Sequence, residues 1–246
     1  MSKVCIIIPC FNEELRLNCN CFLDFLKVNP TVSFYFINDG STDRTLTVLN
    51  DLKSNNGDRI FVIDILKNEG KAQAVRHGML QILNREDFEY IGFWDADLSA
   101  PLEELNSLIS AFAANKKIKL AIGSRVKRLG ANISRKPFRH LMGRIFSTIS
   151  GLILKLPVYD SQCGAKLFTR DIIGLIFEKP FTTNWLFDVE ILARVRNKYG
   201  MKETLGIITE IPLKDWKDVG GSKIKLKHFF KVPFQLLQIH KIYNKK

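Results

Sequence analysis

The chain opens on a short apolar run rich in isoleucine, Val4–Pro9, then alternates such runs with helical periodicity for about half its length. Apolar runs without polar alternation read as strands buried on both faces. Val4–Pro9, Ser33–Asn38, Arg59–Leu66, Tyr90–Trp94 and Lys119–Ile122 are predicted strands on that basis. Helical patterns fill the gaps: Glu13–Val28, a helix starting near Asp43 with Leu46, Leu49 and Leu52 on one face, and Lys71–Leu83. A fourth begins at Ser99-Ala100-Pro101, where an early proline and the acids Glu103 and Glu104 mark a helix start. This alternation predicts an α/β fold with a doubly wound, mainly parallel sheet and right-handed crossovers.

From about Arg135 the alternation stops. Pro137–Leu156 reads as an amphipathic helix, Gly164–Phe168 as a strand, and a short helix follows from Asp171. Asp188–Tyr199 is a predicted helix, Lys202–Pro212 a strand and Phe229–Tyr243 a closing amphipathic helix. One domain over 1–246 is expected. Residues 1–125 would be its nucleotide-binding half, and 126–246 an acceptor half with interfacial helices at 135–156 and 229–243.

Charge changes this picture. The chain carries +12, from 37 Lys and Arg against 25 Asp and Glu. The excess sits in two acid-free segments, Gly123–Tyr159 with eight basic residues and Val219–Lys246 with seven, and the remainder is slightly acidic. Two basic segments interleaved with apolar residues suit phosphates or anionic lipid. No recognised nucleic-acid motif accompanies them, so no nucleic-acid partner is expected. Five cysteines without metal-ligand spacing imply a reducing, cytoplasmic setting. The N-terminus enters a strand within three residues, so no signal peptide is expected. The best apolar run, Ile145–Leu154, is too short to span a bilayer.

In doubly wound sheets ligands bind at the carboxyl ends of the strands. Polar groups collect there: Asn12 and Glu13, Asp39, Asn68 to Lys71, Asp95 and Asp97, and Arg125. Asp95-Ala96-Asp97 places two carboxylates in one turn, an arrangement that holds one hard divalent cation together with substrate phosphates. Asp39 can accept a hydrogen bond from a base or sugar edge, whereas Asp43 reads as a helix cap. The loop Pro9 to Glu14 is neither a Rossmann fingerprint nor a Walker A loop, and a carboxylate there suits ribose hydroxyls.

Taken together, Pro9 to Glu13, Asn38-Asp39-Gly40-Ser41-Thr42-Asp43, Asn68-Glu69-Gly70-Lys71 and Asp95-Ala96-Asp97 resemble the successive motifs of family 2 glycosyltransferases of the GT-A fold. Gly123-Ser124-Arg125, Asp160 to Phe168, Trp185 to Glu190 and Gly221-Ser222-Lys223 narrow the resemblance to the polyprenyl-phosphate sugar synthases, the dolichyl-phosphate glucosyltransferases above all. The resemblance spans about Val4 to Lys225.

It implies that Asp39 contacts uracil, that Glu13 contacts ribose alongside Pro9 and Asn12, and that Asp95 and Asp97 hold Mg²⁺ or Mn²⁺ and the diphosphate. Arg125 and Arg139 would bind phosphate, Lys71 would join the donor site and Lys223 would approach the phosphates from the loop at Gly220-Gly221. Asp188 and Glu190 would lie on the sugar and acceptor side. Asn38 departs from the pattern, standing where the family commonly has a first Asp. The implied reaction moves a hexose, glucose by resemblance, from a UDP-sugar to a polyprenyl phosphate at the cytoplasmic face of an anionic membrane surface, the protein being peripheral there. Two alternatives stay open: a GDP-mannose donor, or transfer to a sugar hydroxyl with Asp188 or Glu190 as base.

Overall fold

The computed structural model describes residues 3–54, 57–85, 87–135, 137–219 and 227–243, with the side chains of 137–139 and 227–231 excepted. In chain order its elements are β1 (Val4–Cys10), α1 (Cys19–Val28), β2 (Val32–Asp39), α2 (Thr45–Ser54), β3 (Ile60–Ile65), α3 (Lys71–Leu83), β4 (Tyr90–Trp94), α4 (Glu104–Ala114), β5 (Leu120–Ser124) and β6 (Asn132–Ser134). There follow α5 (Pro137–Leu154), β7 (Ala165–Thr169), a 3₁₀ turn at Arg170–Ile172, α6 (Ile173–Phe177), α7 (Phe187–Ile207), β8 (Ile208–Pro212), β9 (Asp215–Lys217) and α8 (Lys227–Tyr243).

Contacts divide the chain into two compact units. The first is Met1–Leu98 with Gly164–Pro180. Its strands run in the order β3-β2-β1-β4-β7. The first four are parallel, and β7 joins β4 antiparallel, with Phe93 opposite Lys166 and Trp94 opposite Ala165. Every residue of β2 is buried, as an apolar run in a sheet covered on both faces should be. Phe22 of α1 meets Phe34 and Phe36 of β2 edge-on, with ring centroids 5.2 and 5.0 Å away. Pro9 falls beyond Ile7–Phe93, the last pair in register with β4, so its missing N–H costs no bond on that side.

The first helix is shorter than the periodicity predicts. Arg16 and Leu17 donate to the Glu13 carbonyl, closing a single turn. The helix proper begins only at Cys19, behind Asn18, whose side chain accepts from the Cys21 amide.

The second unit is Ser99–Cys163 with Phe181–Lys246. In it β5 pairs in parallel with β8, and β6 with β9. The expected strand Lys202–Pro212 is a strand only from Ile208. Its first half extends α7 past a break at Gly200, where φ is 74°, a conformation open to glycine. On α5, Phe146 and Leu154 are buried, while Leu141, Ile145, Ile149 and Leu152 form an exposed apolar stripe. On α8, which touches α5, Leu236 and Ile239 are buried and Phe234, Leu237 and Ile242 exposed. Among the described residues no helix is long and apolar enough to cross a membrane.

Candidate active site

In the first unit the loops after β1 and β2 are tied together residue by residue. Asn12 adopts φ 51°, which asparagine tolerates. Its amide donates to Ser41 Oγ at 3.0 Å and its Oδ1 accepts from the Thr42 amide at 2.8 Å. The Glu13 amide donates to Thr45 Oγ1 and the Glu14 amide to Asp43. Asp43 also accepts from the Thr45 amide, so it is the structural cap expected of it. Glu14 is more than a solvated first-turn acid, since it pairs with Arg44 at 2.6 Å.

Asp39, at the end of β2, is buried. Its carboxylate accepts from Asn68 Nδ2 at 3.0 Å, the Glu69 amide at 2.8 Å and the Gly70 amide at 2.9 Å. Burial pushes its pKa up, partly offset by those two amides. Gly40 has φ 61°, and a Cβ there would strike the backbone of Lys67 and Asn68. Asp39 and Gly40 thereby hold the 68–70 loop in place, and that loop sets Lys71 at the start of α3. Beside them Asn38 donates to Asp64 Oδ1 at 2.7 Å from the register-paired position on β3. An aspartate at 38 would face a second carboxylate there, so the departure at 38 is matched by its neighbour.

The turn after β4 carries Asp95 and Asp97. Asp95 Oδ1 lies 2.5 Å from Lys71 Nζ, and Asp97 Oδ2 lies 3.2 Å from Arg16 Nη2. Arg16 also reaches Glu13, Nη1 to Oε2, at 3.6 Å. Glu13, Arg16 and Asp97 thus form one chain of charges, and Lys71 with Asp95 a second. Gly164, just before β7, makes room for Asp95: an added Cβ would overlap its carboxylate. Among the described residues no cluster of three or more His, Cys, Asp or Glu is placed to bind a metal. Two carboxylates with a cradle kept open by a glycine fit Mg²⁺ or Mn²⁺, ions that take few protein carboxylates and complete their shell with water and phosphate oxygens. Lys166 is fully buried on β7, with Nζ 5.3 Å from the Phe93 ring centroid.

The second unit holds a separate polar cluster. Arg125, just after β5, grips Asp160 through Nε at 2.6 Å and Nη2 at 2.7 Å, a bidentate pair. Burial pushes the Asp160 pKa up, but the charge and hydrogen bonds of Arg125, together with the Arg135 charge, outweigh it and hold the carboxyl at about 2. Glu210 on β8 fixes this segment by accepting from the Tyr159 and Asp160 amides, each at 2.7 Å. The guanidinium carbons of Arg125 and Arg135 lie 5.4 and 5.6 Å from the Trp216 ring centroid, so two cations share one indole. Burial and then the Arg125 charge lower the Arg135 pKa.

Glu190 is fully buried and accepts from Thr182 and Thr183, from Arg194 Nη2 at 2.8 Å and from the Tyr243 hydroxyl at 2.8 Å. A carboxylate so engaged ties α7 to α8 through Arg194 and Tyr243. Asp188, in the first turn of α7, is also buried. Lys223 and the Arg139 side chain lie outside the described residues. Sequence reasoning missed Arg16, Arg135 and Trp216, none of which stands in a motif. Only its i,i+3 spacing from Glu13 hinted at Arg16.

Strand-end carboxylates paired with cations on a mainly parallel sheet suit an enzyme of group transfer, and comparison with known proteins gives its class. The chain belongs to glycosyl transferase family 2, whose family model matches residues 5–177, and it is a glycosyltransferase. Within that family it is similar to the dolichyl-phosphate beta-glucosyltransferase ALG5A of Trichomonas vaginalis, with 30% identity over 95% of this chain and 72% of the relative. It is likewise similar to the dolichyl-phosphate beta-glucosyltransferase of Saccharomyces cerevisiae, with 32% identity over 90% of this chain and 69% of the relative. Its fold is that of glucosyl-3-phosphoglycerate synthase from Mycobacterium tuberculosis. The complex of that enzyme with uridine diphosphate matches at TM-score 0.67 and 17% identity over 98% of this chain and 80% of that one. Its complex with Mn²⁺ and UDP-glucose matches at TM-score 0.66 and 16% identity over 97% and 77%.

Proposed function

We propose that this chain transfers glucose from UDP-glucose to a polyprenyl phosphate of the dolichyl type, inverting the anomeric centre, at the cytoplasmic surface of a membrane. The observation that carries the donor half is the turn after β4, where Asp95 and Asp97 stand beside Lys71 and Arg16. Asp95 and Asp97 would hold Mg²⁺ or Mn²⁺, which when bound supplies Lewis-acid stabilisation of the departing diphosphate. Lys71 adds a positive charge on the side where that charge develops. The acceptor half rests on the names and the extent of the similar proteins.

A lipid monophosphate is already an anion at neutral pH and attacks without a general base. The saturation of Glu190 favours this acceptor over a sugar hydroxyl, since one of the two candidate bases is engaged elsewhere. Arg125 and Arg135, side by side at Trp216, are proposed to bind phosphate, as are Arg139 and Lys223.

For the base, Asp39 Oδ1 accepts one hydrogen bond among the described residues, leaving a lone pair for the N3–H of uracil. UDP is therefore expected to bind more tightly than GDP in a calorimetric titration with Mn²⁺ present. Tighter binding of GDP would overturn this assignment and point to mannose.

The exposed stripes of α5 and α8 support a surface-bound protein: apolar residues face outward on two touching helices from the two most basic segments of the chain. Each cation near anionic lipid adds about 1 kcal/mol, screened by salt. The protein is expected to float with anionic vesicles at low salt and to release partly at high salt. If it stays in the soluble fraction at low salt, a soluble acceptor replaces the lipid one.

A further inference from the structure

Both carboxylates of the β4 turn are engaged by cations of the chain itself, Asp95 by Lys71 at 2.5 Å and Asp97 by Arg16 at 3.2 Å. Arg16 is shared with Glu13. Among these described pairs, three acids stand against two cations, all on loops or helix starts of one unit. This balance has a direct electrostatic consequence. Lys71 and Arg16 repel a divalent cation that arrives alone, and they must give up their carboxylates to admit it. Asp95, Asp97 and Glu13 repel a diphosphate that arrives alone. When the two ligands arrive together, each released cation has a phosphate oxygen to turn to, and Asp95 and Asp97 have the metal ion in place of their cations.

We propose that Arg16 and Lys71 are exchange cations: they neutralise Asp97 and Asp95 until a divalent cation and a nucleoside diphosphate enter together, then transfer to the phosphate oxygens. This rests on the donor site assigned above and adds Arg16 to it. The long, flexible stems of both side chains allow the transfer without backbone movement. The metal and the nucleotide must then bind with positive coupling, and linkage makes that coupling the same factor read from either ligand.

The signature is a pair of opposite effects. A residue that merely supported the loop would weaken both ligands when replaced. Removing an exchange cation tightens the metal when it binds alone and weakens the nucleotide. The test uses the full chain as wild type, Lys71→Met and Arg16→Gln. Free Mn²⁺ is followed by electron paramagnetic resonance with and without UDP, and UDP is titrated calorimetrically. In the wild type, UDP is expected to tighten Mn²⁺ roughly tenfold or more. In either variant Mn²⁺ alone is expected to bind about fivefold tighter, the scale of one partly exposed ion pair, and the coupling to shrink by a similar factor.

If UDP binds the wild type but both variants take up Mn²⁺ alone no more tightly than it does, the exchange is refuted while the donor assignment stands. If the wild type binds neither UDP nor Mn²⁺ with the other in excess, the donor assignment fails and the exchange with it. Should one variant not fold, the other decides, because the two cations sit on different elements.

Discussion

Replacing Asp97 with Asn is expected to lower turnover by roughly 10²- to 10³-fold, the scale of losing one preorganised electrostatic contact in a transition state. The substitution keeps the shape and removes the charge. It also frees Arg16 from its 3.2 Å partner, so the damage should fall on kcat and on metal dependence rather than on folding. Steady-state kinetics at several Mn²⁺ concentrations would measure it. Excess EDTA should abolish wild-type activity, and addition of Mn²⁺ or Mg²⁺ should restore it. Normal turnover in the Asn variant, or activity that survives EDTA, would show that the Asp95–Asp97 turn does not carry the metal.

The second large effect comes from a residue with no functional group. Gly164→Ala would put a methyl group where the Asp95 carboxylate now lies. The obstruction meets the tip of a side chain, so Asp95 can rotate away and the sheet need not give. That rotation breaks the 2.5 Å pair with Lys71 and misplaces the proposed metal ligand, an error worth about 10²-fold in rate. The melting temperature should move by only a few degrees, since one partly exposed pair is lost. Gly92→Ala is the contrasting control, because its methyl group would meet the backbone carbonyl of Lys166 on β7. There the strand itself must shift, and thermal stability should fall first. If Gly164→Ala kept full activity, Asp95 would not be needed in its present position.

The sequence was most legible where burial dictates composition. The strands β1, β2, β4 and β5 announce themselves as apolar runs because both faces of the sheet are covered there, and the strand-end acids follow from the rule that ligands bind where such strands stop. Legibility failed where a single residue decides the outcome. Asn18 moves the start of α1 by capping the helix locally, and Gly200 lets α7 bend and continue where β-rich composition suggested a strand. The strands β6 and β9 are three residues each and carry no alternation to detect.

Within the candidate site, Asp39, Lys71, Asp95 and Asp97 were readable because each stands in a motif at a strand end. Their partners were not. That Asp160 clasps Arg125, that Asp64 complements Asn38 and that Glu190 is filled by Tyr243 depend on residues far apart in the chain. Nothing local marks such pairs; only register and packing bring them together.

The antiparallel strand β7 also sets the order in which the protein can mature. The first unit ends at Leu98 and resumes only at Gly164, so its fifth strand reaches the ribosome exit after the whole of Ser99–Cys163. Until then β4 presents an open edge of unpaired amides and carbonyls, a template for the wrong partner. Asp95 meanwhile lacks the glycine that shapes its surroundings. A nascent chain stalled before Gly164 would hold the loops after β1 and β2 without a finished β4 turn. Such a chain should recruit chaperones and aggregate readily. Long-range pairing of this kind slows folding as well, because loop-closure entropy is spent before any contact returns it.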